Sequence, residues 1–227
     1  MKNVLLNTKK MITLLVILAG FVLNAQETAQ ISNQLKWSER MALSIMKRHP
    51  ESYQIDDKKT PQWDYVHALV LTSFEALYKN TNDQKYYNYI KQYADATIDQ
   101  NGEVSSYKFD TYNIDMVTAG RLLFNLYTTT KDTRYLKVMQ LLRKQITEQP
   151  RTASGGFWHK KIYPNQMWLD GLYMGEPFYA QYTTQFENGV KLDDIAYQFE
   201  LIQLHATDPK TGLLYHCLLY TSDAADE

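Results

Sequence analysis

Apolar residues recur every three and four positions along most of this chain, and that spacing limits what it can fold into. Val66, Leu69, Val70, Phe74 and Leu77 follow it, as do Tyr135, Val138, Met139, Leu142 and Ile146. Residues so spaced line one face of an α-helix. No segment shows the sustained apolar–polar alternation, bounded by hairpin turns, that a half-buried strand requires. Pro61 is placed as a first-turn proline, and Pro50 and Pro150 follow helical runs. The pattern predicts an all-α domain of about seven helices.

A weak internal repeat says how those helices are arranged. Leu77 to Asp83, ahead of Tyr86, is echoed by Leu126 to Asp132, ahead of Tyr135, at an offset of 49 residues from one aspartate to the other. A tetratricopeptide unit, at about 34 residues, is too short for that offset. A pair of longer helices fits it, and hairpins repeated at this length close into an α/α toroid in which each buries its apolar face on its neighbours.

Charge and composition exclude several classes of function. The chain has 24 basic and 25 acidic residues, spread evenly, so no basic stripe is available to neutralise a nucleic-acid backbone. Its 44% hydrophobic content over 227 residues is enough for a sizeable core, and the 18 tyrosines suit helix packing as well as sugar faces. At the amino terminus, Lys2, Lys9 and Lys10 precede an apolar run from Met11 to Leu23 that ends near Ala25. That is the pattern of an export signal, with cleavage expected after Ala25. The run falls short of the roughly 20 residues that span a bilayer, so an exported product without stable membrane insertion is expected, periplasmic or secreted. Cys217 is the only cysteine, which leaves no intrachain disulfide.

The helical rhythm breaks between Ser154 and Phe178, where two Trp, a His, two Lys, a Gln and an Asp gather beside glycines. Segments of this kind carry sites. Asp170 stands near a helix start, where capping is the ordinary role of an aspartate, and Asp115 stands in the same relation to the helix carrying Met116, Arg121, Leu122, Phe124 and Leu126. The two are 55 residues apart, close to one repeat, so both are expected to open successive inner helices and face one cavity. Two carboxylates in one cavity suit acid and base work. A helix N-terminus favours the carboxylate, whereas a proton donor requires the acid form; Asp115 as a second charge and Trp168 as an apolar wall are the groups that would favour the acid. Lys160 and Lys161 read as solvated surface lysines able to attract an acidic substrate. His49, His67, His159, His205 and His216 show no zinc-ligand spacing, and neither a calcium loop nor a phosphate or dinucleotide motif is present. A reaction without metal or cofactor is expected.

Trp158-His159-Lys160, Tyr163-Pro164, Gln166-Met167-Trp168-Leu169-Asp170-Gly171 and Tyr173-Met174 together resemble the central motif of the unsaturated rhamnogalacturonyl hydrolases, family 105 of the glycoside hydrolases, which is related to family 88. Trp63-Asp64-Tyr65 resembles that family's first helix motif, and Asn113-Ile114-Asp115 with Gly120-Arg121 its second. The resemblance runs over roughly residues 33–216. It implies an (α/α)6 toroid and a substrate bearing the double bond between carbons 4 and 5 that a polysaccharide lyase leaves. Asp170 would protonate carbon 4 and then help water add at carbon 5, and the resulting hemiketal would open and release the neighbouring sugar. Asp115 would be the second catalytic carboxylate. His159 and His216 would contact the unsaturated sugar, and Trp168 and Tyr65 would border its ring. Family 88 proper, acting on unsaturated glucuronyl ends of glycosaminoglycan fragments, is the alternative enzyme. A non-catalytic helical glycan-binding protein is the alternative outside catalysis.

Beyond His216 the sequence departs from the family's pattern, and Cys217 to Glu227 resembles a translated sequencing adapter. Residues 1–25 are therefore expected to be a signal peptide, 26–216 the front part of the hydrolase domain, and 217–227 a non-native tail. On that reading the toroid is incomplete, with about seven helices in this chain, and an unclosed ring is expected to be poorly stable and inactive.

Overall fold

The computed structural model describes residues 31–104 and 106–219. The expected signal peptide and residues 220–227 of the expected tail lie outside the described residues. Helix α1, Trp37–Arg48, has Glu39 in its first turn and Lys47 and Arg48 in its last, the arrangement that the helix dipole favours, and it ends just before Pro50. The chain divides within α1, between Ser44 and Ile45. Among its described residues the unit from Ile45 onward is helical in its regular structure apart from one short strand pair.

Helices α2 (Tyr65–Thr81) and α3 (Gln84–Thr97) form the first hairpin; α4 (Arg121–Thr130) and α5 (Thr133–Glu148) form the second; α6 (Gly171–Phe186) and α7 (Leu192–Ala206) form the third. They lie in succession as hairpins of an α/α toroid, with α2 packed on α3 and α4, and α6 on α5 and α7. The sequence repeat has an atomic counterpart in the first two. Asn82 and Lys131 turn the chain left-handed, at φ 53° and 58°, and their N–H groups bond the carbonyls of Tyr78 and Tyr127. Asp83 and Asp132 follow, and each side chain caps the next helix by accepting from the N–H of Lys85 or Arg134. Between the hairpins, Tyr135 donates to Asp95 at 2.7 Å and Arg134 pairs with it at 3.0 Å.

Many of the aromatic residues serve the core: Trp63, Phe74, Tyr86, Tyr93, Phe124, Tyr135 and Phe178 are fully buried. Two expectations are corrected. Pro61 is not in the first turn of a helix, because α2 begins four residues later, where Asp64 accepts from the N–H of His67 at 3.1 Å and fixes the start. The helix expected to run on from Asp115 is two pieces, a 3-10 helix from Ile114 to Gly120 and then α4. The tighter first piece is wedged among α2, α5 and α6. A Cβ at Gly120 would lie 2.5 Å from Leu142 and 2.7 Å from Phe178, so only glycine fits there.

Candidate active site

The connection from α5 to α6 is folded back on itself. His159 N–H bonds the Gln166 carbonyl at 2.8 Å, the Ile114 N–H bonds the His159 carbonyl at 3.1 Å, and Asn165 supplies a left-handed turn at φ 58°. These bonds set His159 beside both Trp168 and the start of the 3-10 helix. Strand β1 (Gln166–Trp168) then pairs antiparallel with β2 (Cys217–Leu219), and Leu169 N–H bonds the His216 carbonyl at 2.7 Å, which brings His216 to the same place.

Asp115 follows Asn113, whose side chain caps the 3-10 helix by accepting from the Asp115 N–H. Relieved of capping, the Asp115 carboxylate turns to the connection: Lys160 Nζ is 2.8 Å from Oδ2, and His159 Nε2 is 3.1 Å from Oδ1. The second contact is at ion-pair distance but is poorly aligned, so Oδ1 is left without a good hydrogen bond. Burial works against the charged form of Asp115, but the contacts from His159 and Lys160 outweigh it and hold the carboxyl below its ordinary range. Asp170 precedes α6 and makes no side-chain cap; its Oδ1 is buried without a hydrogen-bond partner, 3.8 Å from His216 Nε2. Capping, the ordinary role of a helix-terminal aspartate, is thus performed by neither residue.

One ligand-type atom each from Asp115, His159 and Asp170 falls within 4.8 Å of the others. Trp168 roofs this group: its ring stacks on His159, with centroids 4.2 Å apart and planes at 11°, and on Tyr163 at 5.0 Å, and it lies 5.5 Å from the His216 ring. The structure therefore brings together five of the six residues singled out from sequence. Tyr65 opens α2 and is 39% exposed.

Three contributors were not foreseen. Lys160, read as a solvated surface lysine, is the ion-pair partner of Asp115, with its side chain 23% exposed. Trp63 is buried, and its indole N–H bonds the Met116 carbonyl at 2.8 Å, tying α2 to the segment that bears Asp115. Glu176 is buried in α6 behind His159. The sign of Glu176 was legible, since it is the one acid on a helix face otherwise made by Leu172, Tyr179 and Thr183.

Carboxylates, an imidazole and a flat indole face this close together can exchange protons with a bound sugar and pack against its ring. Residues 37–226 match Glycosyl Hydrolase Family 88. A glycoside hydrolase from family 105 of C. acetobutylicum ATCC 824 is similar in structure with a TM-score of 0.75 at 40% identity, over 82% of this chain and 49% of that one. A possible member of family 105 from Klebsiella pneumoniae subsp. pneumoniae MGH 78578 gives 0.67 at 22% identity, over 85% of this chain and 54% of that one. A glycosyl hydrolase of family 88 from Bacteroides vulgatus gives 0.52 at 21%, over 80% and 51%. At these last two identities the likeness is one of fold. The chain spans about half the length of the solved structures it matches.

Proposed function

The chain belongs to glycosyl hydrolase family 88, and we propose that it takes part in removing a 4,5-unsaturated galacturonyl residue from the fragments that rhamnogalacturonan or pectin lyases leave. The observation that carries this reading is the meeting of Asp115, His159 and Asp170 within 4.8 Å, under the stacking face of Trp168. Asp170 gives its proton to carbon 4, the π electrons form the new C–H bond, and positive charge appears at carbon 5, shared with the ring oxygen. Water adds at carbon 5 and returns a proton to Asp170. The hemiketal so formed opens to a ketone, the former ring oxygen becomes a hydroxyl on carbon 1, and that hemiacetal collapses and releases the neighbouring sugar.

Asp115, held as a carboxylate by Lys160 and His159, supplies the negative charge that a developing cation requires. His216, beside Asp170, would bond the sugar's hydroxyls or its carboxylate, and His159, with its Nε2 toward Asp115, would border the same sugar. Export through an amino-terminal signal is part of the same proposal, supported by Lys2, Lys9 and Lys10 ahead of the apolar run from Met11 to Leu23. Among the described residues no helix is long and apolar enough to cross a membrane.

The test follows the ultraviolet absorbance of an unsaturated rhamnogalacturonan disaccharide with the protein expressed from its native locus and with the D170N variant of that protein. Loss of absorbance with the first and about a thousandfold slower loss with the second is the expected result. Turnover of an unsaturated glucuronyl disaccharide instead would move the substrate to glycosaminoglycan fragments. Binding without turnover, unchanged in D170N, would replace the enzyme by a glycan-binding protein.

A further inference from the structure

Behind His159, on the side away from Asp115, lies a small cavity lined by Ile114, His159, Trp168, Gly171, Glu176 and Gln198, with about 10 Å3 of room for the centre of a water molecule. That is close to the least space in which one water can be held. Two buried polar atoms without hydrogen-bond partners belong to its walls: His159 Nδ1 and Glu176 Oε2. The residues are 2% and 3% exposed, so bulk solvent does not serve these atoms. Gly171 keeps the space open, since a Cβ there would lie 3.2 Å from His159 Nδ1. Two orphaned polar groups on one water-sized cavity are costly unless something bridges them.

We propose that one buried water links the Glu176 carboxyl group to His159 Nδ1, making Glu176 a positioning residue that fixes the imidazole with its proton on Nε2, toward Asp115. The inference rests on the hydrolase reading only for its effect on rate; the water and the tautomer stand apart from it. Hydrogen-bond logic sets the directions. Asp115 is a carboxylate and only accepts, so its 3.1 Å approach, though poorly aligned, favours hydrogen on Nε2 over a bare nitrogen there. With hydrogen on Nε2, Nδ1 is free to accept from the water, and the water accepts from the Glu176 hydroxyl. Burial, and then the charge of Asp194, push the Glu176 carboxyl up to about 8 against the opposing pull of Arg151, so the hydroxyl is present at neutral pH. The charged groups facing the pair are Asp194 and Arg151 on the Glu176 side, and Asp115, Lys160 and Asp170 on the His159 side.

The experiment labels the histidine imidazoles with 15N, assigns His159 by its loss in H159F, and compares the protein with E176Q and E176L. In the unsubstituted protein His159 gives the shifts of a neutral ring protonated on Nε2, with an inflection near the Glu176 titration, because ionised Glu176 competes with Asp115 for the ring proton. In E176Q the tautomer is kept and that inflection is absent. In E176L the two nitrogens move toward a mixture of tautomers, and kcat on the unsaturated disaccharide falls about tenfold or more with KM little changed, a loss that E176Q largely rescues. His159 shifts in E176L identical to those of the unsubstituted protein overturn the inference; if E176L does not fold, an inflection that persists in E176Q overturns it. Shifts that change as expected in a protein that turns over no unsaturated sugar leave the inference standing and remove the hydrolase reading instead.

Discussion

Lys160 Nζ lies 2.8 Å from Asp115 Oδ2, and the carboxylate it holds is buried with its side chain only 8% exposed. The pair is more than a surface ion bridge, because removing the lysine strands a charge that is largely cut off from water. K160M is therefore expected to destabilise the protein by roughly 2–4 kcal/mol at pH 7, read from urea unfolding. The sign with pH follows from the lowered folded-state value of Asp115. Its contribution is full above the ordinary aspartate range, and it disappears as pH falls through that lower value. The gap between the protein and K160M should accordingly narrow only in strong acid; a gap that is constant to low pH would contradict the assignment.

Trp168 touches His159, Tyr163 and His216 at once, with its face on the first two. W168A removes the stack, while W168F keeps an aromatic face. On the unsaturated disaccharide, W168A is expected to lower kcat/KM at least about tenfold and W168F less, since an aromatic contact is worth about 0.5–1.5 kcal/mol beyond the area it buries. Equal activity of all three proteins would show that Trp168 only packs.

The helices and their repeat were legible because they depend on neighbours in the chain: apolar spacing marks a buried face, and Asp83 and Asp132 mark the starts they cap. Asp115, His159, Trp168 and Asp170 were legible through their motif. Lys160 was not, because a lysine beside a histidine in a loop looks solvated until the fold sets Asp115 against it. The break between the 3-10 helix and α4 was hidden for a related reason. It arises where Gly120 meets Leu142 and Phe178, residues of two other helices, and apolar spacing within one segment carries no trace of that encounter.

Glu176 should cost stability in a pH-dependent way. Its carboxyl is held up to about 8 in the fold against 4.5 as an ordinary glutamate, so between those values the unfolded chain is ionised while the folded one still binds the proton. Stability therefore falls as pH rises across that window. E176Q cannot titrate, and its Tm is expected to match that of the protein near pH 4.5 and to exceed it increasingly up to pH 8. Parallel Tm curves across the window would mean that Glu176 is not held protonated by burial.

The matching turns at Asp83 and Asp132 make a graded test of the hairpin repeat. Both side chains accept from an N–H in the first turn of the next helix, at 3.1 Å from Lys85 and 3.0 Å from Arg134. Each N–H of Asp83 and Asp132 is in turn bonded by a threonine hydroxyl oxygen, Thr81 or Thr130, at 3.2 Å. An aspartate-to-alanine change at either cap is expected to cost about 1 kcal/mol, and a change to asparagine much less. The two sites differ in one respect: Asp132 also receives the Arg134 guanidinium, which reaches on to Asp95 in the preceding hairpin. D132A thus frees an arginine that joins α5 to α3, whereas D83A releases only the exposed Lys85 ammonium. In denaturant titrations D132A should be the more destabilised of the pair, and D132N should recover less of its loss than D83N does.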